Sequence, residues 1–169
     1  KFLKEAGADF DVYIPDRGRE SFGLSLQKVR DFHETGTKIL ITIDCGVTDY
    51  DEIELANSMG MDVIILDHHV VPPKWPNAYA IIDHKHPDET YPEKVLSGAG
   101  LAFKLVQALL SSGKFGLSAG WEKWLLDIVA IAAVADMVPL TGENRALVTY
   151  GLKVLRKTKH LGLRELFRL

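Results

Sequence analysis

The sequence predicts an α/β fold: a doubly wound, mainly parallel sheet with helices on both faces, followed by a helical segment. Two observations predict it. The runs 38–43 (KILITI) and 62–66 (DVIIL) are apolar almost throughout instead of alternating, the pattern of strands covered on both faces. Helical patterns of roughly ten or more residues separate such runs, the spacing of parallel βαβ units.

Each element follows in order. Residues 10–14 read as a short strand stopped by Pro15, which cannot donate to a ladder. Residues 21–34 read as a helix with Leu24, Val29 and Phe32 on its apolar side and Gly36 as the stop. Strand 38–43 is followed by helix 49–59, whose acidic first turn suits the positive helix N-terminus, with Gly60 at its end. Strands at 62–66 and 78–82 come next. After residue 83 the character changes: a polar, proline-bearing loop over 83–95 leads into helices at about 97–112, 121–134 and 143–157. The sheet part is therefore expected over 1–96 and the helical part over 97–169, together one partial domain. The chain opens on Lys1 and closes on Leu169 within helical patterns, as expected of a piece of a longer protein whose N- and C-terminal parts complete it.

Composition narrows the function classes. The chain is 47% hydrophobic and 25% charged, enough apolar material for a core. Its 20 Lys+Arg against 23 Asp+Glu exclude a globally basic binder while leaving room for a local basic groove. The single cysteine, Cys45, excludes a disulfide framework and a thiolate zinc cluster. No apolar run approaches the ~18–20 residues of a membrane span, so a cytoplasmic domain without membrane contact is expected.

In open parallel sheets, ligands bind outside the carboxyl ends of the strands. Three expected strands run into polar groups there: Asp16-Arg17, Asp44-Cys45-Gly46 and Asp67-His68-His69. Asp44 reads either as a turn or N-cap aspartate or as a carboxylate free to bridge cations. Of two adjacent histidines, one can ligate a divalent metal while the other meets a phosphate or moves a proton, and a neighbouring carboxylate fixes a ring tautomer. Asp136 interrupts the apolar stretch 128–140, where a buried carboxylate needs a cap, a buried arginine or a metal. Oxygen and imidazole donors without thiolate favour Mn²⁺ or Mg²⁺. Two such ions roughly 3.5–4 Å apart serve phosphate-ester hydrolysis.

Ser97-Gly98-Ala99-Gly100 opens a helix, a turn that either seats a phosphate or only allows tight packing. Arg17 is a surface arginine or a bidentate phosphate contact. The basic positions Lys153, Arg156, Lys157, Lys159, Arg164 and Arg168 fit the solvated face of an amphipathic helix, with Leu152, Leu155 and Leu161 inside.

Together these segments resemble the DHH phosphoesterase superfamily, and within it the RecJ-type single-strand-specific exonucleases. The carrying residues are Tyr13-Ile14-Pro15-Asp16-Arg17, Ile41-Thr42-Ile43-Asp44-Cys45-Gly46, Asp67-His68-His69, the stretch from Leu96 to Lys104, and Ala135-Asp136-Met137-Val138-Pro139-Leu140 followed by Glu143-Asn144-Arg145. The resemblance implies metal-dependent hydrolysis of single-stranded DNA from the 5′ end, with two Mn²⁺ ions, during repair and recombination. It implies that Asp44 bridges the ions and that His68 and Asp136 ligate one of them. Asp67 becomes a supporting carboxylate and His69 a substrate-facing imidazole. Arg17 grips strand phosphate, with Ser97, Gly98 and Gly100 lining the same cleft.

Two features depart from the family pattern. An Asp-x-Asp-Gly turn, which supplies most ligands of the second ion, has no counterpart and is expected upstream; the usual C-terminal substrate-binding domain is also absent. The piece alone is therefore expected to bind metal poorly and cleave slowly or not at all. At Asp83-His84-Lys85-His86 relatives tend to carry an Asn-Pro turn, and His84 and His86 read as loop residues rather than ligands. Alternative functions are a DHH phosphodiesterase for short oligonucleotides or cyclic dinucleotides, and a catalytically silent scaffold for replication or repair proteins.

Overall fold

The computed structural model describes residues 1–16, 18–20, 22–70, 72–113 and 115–168. They form two compact units: residues 11–94, and residues 1–10 together with 95–169. Arg17, expected to contact phosphate, lies outside the described residues.

The first unit is α/β with a parallel sheet. Its elements are α2 (Leu26–Glu34), β1 (Ile39–Ile43), α3 (Tyr50–Ser58), β2 (Asp62–Leu66) and β3 (Ala80–Ile82), after α1 (Phe2–Glu5) of the other unit. The sheet order is β1-β2-β3, with both pairs parallel. The register sets Ile43 opposite Leu66 and Leu66 opposite Ile82, so all three strands reach their carboxyl ends at one level. The ladder runs one residue further: Asp44 N–H donates to Leu66 O at 2.8 Å and Asp67 N–H to Ile82 O at 3.1 Å. Val63, Ile65, Leu40, Val29, Val47, Ile53, Ala56 and Met61 are buried in the core between sheet and helices. Burying a side chain of this kind contributes about 1.5–3 kcal/mol.

Three expectations need correction here. Residues 10–14 form no strand: Val12 and Ile14 are largely exposed and find no ladder partner, and apolar composition alone cannot supply one. Strand β1 is not buried on both faces. It is an edge of the described sheet, and Ile39 and Ile43 are about half exposed while Leu40 and Thr42 point inward. Helix α2 starts at Leu26 rather than 21, because Gly23 takes a left-handed φ of +87° and Ser25 then caps the helix by accepting from Lys28 N–H at 3.3 Å. The connection from β2 to β3 carries no helix among the described residues.

The second unit is helical: α4 (Gly98–Ser112), a 3₁₀ turn (Trp121–Leu125), α5 (Leu126–Ala135), α6 (Gly142–Leu155) and α7 (Leu161–Leu166). Helix α5 packs along α6 most extensively. The approach is close because Gly151 lies against it: a Cβ there would sit 2.4 Å from Ala130 Cβ and from Leu126 O. That contact sets the buried face of α6 as Asn144, Leu147, Val148 and Gly151. Leu152 and Leu161, expected inside, are instead 48% and 73% exposed. The basic residues beside them do lie on the surface: Lys153 sits over the Tyr150 ring, Lys159 over the Trp124 ring, and Arg168 pairs with Glu165. Among the described residues, no helix is long and apolar enough to cross a membrane.

Candidate metal centre

The carboxyl ends of β1 and β2 bring three donors together. Asp44, His68 and His69 offer ligand atoms that all lie within 4.8 Å of one another. Asp44 follows β1 in a left-handed conformation, φ +66°, which aspartate tolerates better than most residues. Its Oδ1 lies 2.8 Å from His68 Nε2. Gly46 completes the turn at φ +117°; a Cβ there would sit 2.5 Å from Thr42 Oγ1, so the chain folds back on β1 only with glycine at this point.

Asp67 organises the next layer. It is 1% exposed. Its Oδ2 accepts from Val47 N–H at 3.2 Å, while Oδ1 accepts from His68 N–H at 2.8 Å and His69 N–H at 3.3 Å. Oδ1 also meets His69 Nδ1 at 2.6 Å. A carboxylate oxygen accepts here, which assigns the proton to Nδ1 and leaves the Nε2 lone pair of His69 free to ligate. The imidazole that Asp67 orients is therefore that of His69, not that of His68. The two histidine rings stand 4.9 Å apart, and the exposed Phe22 ring meets His69 edge-on at 6.0 Å.

Burial and negative neighbours shape the surroundings. Burial, then Asp49, Asp67 and Asp44, push the Cys45 thiol up to about 12. Burial raises the Asp83 and Asp49 carboxyls. His84 is 2% exposed, with its ring 6.3 Å from that of His68. Burial, with Lys85 and His68 adding to it, pulls His84 down to about 4, so it stays neutral at physiological pH. Neither of its ring nitrogens, nor Asp83 Oδ2, has a hydrogen-bond partner among the described residues. His84 is in a turn, as expected, but it is buried beside the site. Its signal in the sequence was a histidine two residues beyond the third strand, after Asp83.

The donor set fits a divalent ion. Two ligand atoms each about 2.1 Å from an octahedral ion and at right angles to it stand about 3.0 Å apart. The Asp44–His68 separation of 2.8 Å is close to that edge. The set is also of the oxygen–imidazole kind, with a carboxylate behind one ring as metal-bound histidines require.

The remaining sequence-predicted residues belong to the helical unit. Ser97 is 2% exposed and caps α4, accepting from Gly100 N–H at 3.2 Å; Gly98 and Gly100 are buried in the first turn. The turn thus spends one of its free amides on its own serine. Asp136 is exposed at the C-terminal end of α5, where its N–H donates to Ala132 O at 2.9 Å. The expectation that it is buried, and the N-cap reading, are both overturned: the helix surfaces at Val134, two residues earlier. The buried acid of α5 is Asp127, satisfied by Thr158 Oγ1 at 2.7 Å and Ile128 N–H at 2.8 Å.

Comparison with known proteins places this geometry in a family. The model of the DHH family, N-terminal domain, matches residues 1–133. The chain is 44% identical to the single-stranded-DNA-specific exonuclease RecJ of Bacillus subtilis, over 99% of its own length and 20% of that protein's. Identity is 35% to RecJ of Escherichia coli, covering 90% and 28% of the two chains, and 36% to RecJ of Thermus thermophilus, covering 97% and 23%. The chain therefore spans between a fifth and a little over a quarter of the length of these relatives. Among solved structures it is similar to an exonuclease RecJ bound to manganese, with a TM-score of 0.85 at 34% identity over 98% of this chain and 41% of the other. It is also similar to Thermus thermophilus RecJ in complex with Mn²⁺, with a TM-score of 0.78 at 32% identity over 96% and 22%. With most of its length matched by the family model, the chain belongs to the DHH family.

Proposed function

We propose that the protein carrying this chain hydrolyses phosphodiester bonds in single-stranded DNA, in the cytoplasm, from the 5′ end and with Mn²⁺, in repair and recombination. The observation that carries this reading is the meeting of Asp44 Oδ1 and His68 Nε2 at adjacent strand ends, with His69 held beside them by Asp67. Manganese would be held by Asp44, His68 and His69, with Asp136 a further ligand and Asp44 the bridge where two ions bind. Bound there, the metal supplies hydroxide at neutral pH and neutralises charge developing on phosphate oxygen.

The chain's own groups do the rest. Asp67 locks the His69 ring, so its Nε2 faces the site in one orientation. The left-handed turn at Asp44 directs its carboxylate toward His68. Neutral His84 places no positive charge behind the cation. Arg17, Ser97, Gly98 and Gly100 contact the strand backbone in this reading.

The test is incubation of the full-length protein and Mn²⁺ with a long 5′-phosphorylated single strand and, separately, with diribonucleotides and cyclic dinucleotides. Mononucleotide release from the long strand, lost in Asp44→Ala, is expected. Turnover of the short substrates alone would replace this reading with a small-substrate phosphodiesterase. No turnover of any of them would leave a scaffold module.

A further inference from the structure

The loop that carries Asp136 has no apolar anchor of its own. From Val134 to Gly142 no side chain is buried: Val138 is half-buried, the others are exposed, and Met137 is 86% exposed. Such a stretch has little burial to hold it in one conformation. It is nevertheless shaped. Helix α5 closes behind Asp136 through Met137 N–H to Val134 O at 3.2 Å and Val138 N–H to Ala133 O at 3.3 Å, with Met137 left-handed at φ +54°. A residue with a Cβ keeps that conformation only where its surroundings hold it there. The hold comes from Asn144, which is 0% exposed in the first turn of α6. Its Nδ2 donates to Pro139 O at 3.0 Å and to Val95 O at 2.7 Å. Two carbonyl acceptors assign the amide nitrogen to that side, and both of its hydrogens are used. Val95 leads into Leu96 and Ser97, which are 0% and 2% exposed, so the clamp is rooted in the core while it grips the exposed loop. The first turn of α6 is itself tied to α4, because Glu143 pairs with Lys104.

Resting on the reading above that Asp136 ligates the metal, we propose that Asn144 is a positioning residue for that ligand. It touches neither metal nor strand in this role. It fixes the chain three residues beyond Asp136, so that the carboxylate leaves the end of α5 in one direction. A carboxylate already held in place loses little freedom when an ion binds, whereas on a free loop that ordering opposes binding. The same amide joins this loop to the chain entering Ser97. Two segments of the helical unit that the sequence singled out are thus set relative to each other by one buried side chain.

The test is a double-mutant cycle on the full-length protein, with Mn²⁺ affinity read from the electron paramagnetic resonance signal of the free ion. Asp136→Ala and Asn144→Ala should each weaken binding about 10-fold or more. Added to Asp136→Ala, Asn144→Ala should cost less than about a further 2-fold, because no carboxylate is left for it to position. Removing two buried hydrogen bonds lowers the thermal midpoint in both backgrounds, so stability does not decide the matter and the coupling does. Losses that multiply in the double variant would overturn the proposal and leave Asn144 a purely structural clamp. Wild-type affinity in Asn144→Ala alone would overturn it as well. Undiminished affinity in Asp136→Ala would remove Asp136 from the ligands, and the role of Asn144 with it. The same cycle with Asn144→Ser, a smaller lesion that leaves a hydroxyl donor for one carbonyl, decides the question if the alanine variant does not fold. The readout needs no turnover, so its outcome is independent of which phosphodiester the protein cleaves.

Discussion

Asp44 Oδ1 and His68 Nε2 lie 2.8 Å apart although 23 residues of chain, including a whole helix, separate them. The parallel register of Ile43 with Leu66 brings them there: each donor is the first or second residue beyond a paired strand end. Because the separation is set by backbone pairing, Asp44→Ala should remove a ligand without disturbing the sheet. Mn²⁺ affinity, followed by the electron paramagnetic resonance signal of the free ion, should fall about 100-fold or more, with a thermal midpoint close to wild type.

Asp67 acts through its neighbours. It serves three backbone N–H groups and the His69 ring, which a single amide oxygen cannot replace. Asp67→Asn should cost about 1–3 kcal/mol in urea unfolding and weaken Mn²⁺ binding about 10- to 100-fold. Wild-type metal affinity in this variant would remove Asp67 from the role assigned above.

Gly46 tests the turn itself. A methyl there meets Thr42 Oγ1 at 2.5 Å and Ile65 Cγ2 at 3.1 Å on a backbone at φ +117°. Left-handed strain of about 1–2 kcal/mol and overpacking of about 1–3 kcal/mol predict that Gly46→Ala destabilises by about 2–5 kcal/mol. Chemical denaturation reads it directly; a loss under about 0.5 kcal/mol would show that the turn relaxes.

His84 predicts a pH dependence. Its folded value of about 4 lies below the ordinary 6.5, so the unfolded chain takes up the proton first as pH falls. The sign follows: its contribution to stability is full above about pH 6.5 and declines down to about pH 4, by about 3 kcal/mol. Asp83 and Asp49, whose carboxyls are raised, act in the opposite sense above the ordinary carboxylate range. The difference between wild type and His84→Gln in metal-free buffer isolates the histidine. Parallel stability curves from pH 7 to 4.5 would contradict it.

The sheet was legible in the sequence because its signals are local. Strand 62–66 matches β2 residue for residue, and Ser97 at the head of α4 announces its cap. Placing Asp44 and the Asp67-His68-His69 triplet at strand ends needed only the apolar runs before them. Residues 10–14 misled because a strand requires a partner, which no local pattern contains. Asp136 misled because an apolar stretch can leave the core within two residues, as α5 does at Val134. The pairing of Asp67 with His69, the burial of His84 and the pose of Phe22 left no mark in composition or spacing.

The sequence by itself determined the parallel α/β class, the oxygen-and-imidazole donor set and the family to which the chain belongs. Only the tertiary structure decided which histidine Asp67 orients, which acid of α5 is buried and which aromatic ring stands beside the donors. The physical reason is that strand and helix signals arise from neighbours along the chain. Hydrogen-bond partnership and burial depend instead on groups that backbone pairing brings together from distant positions.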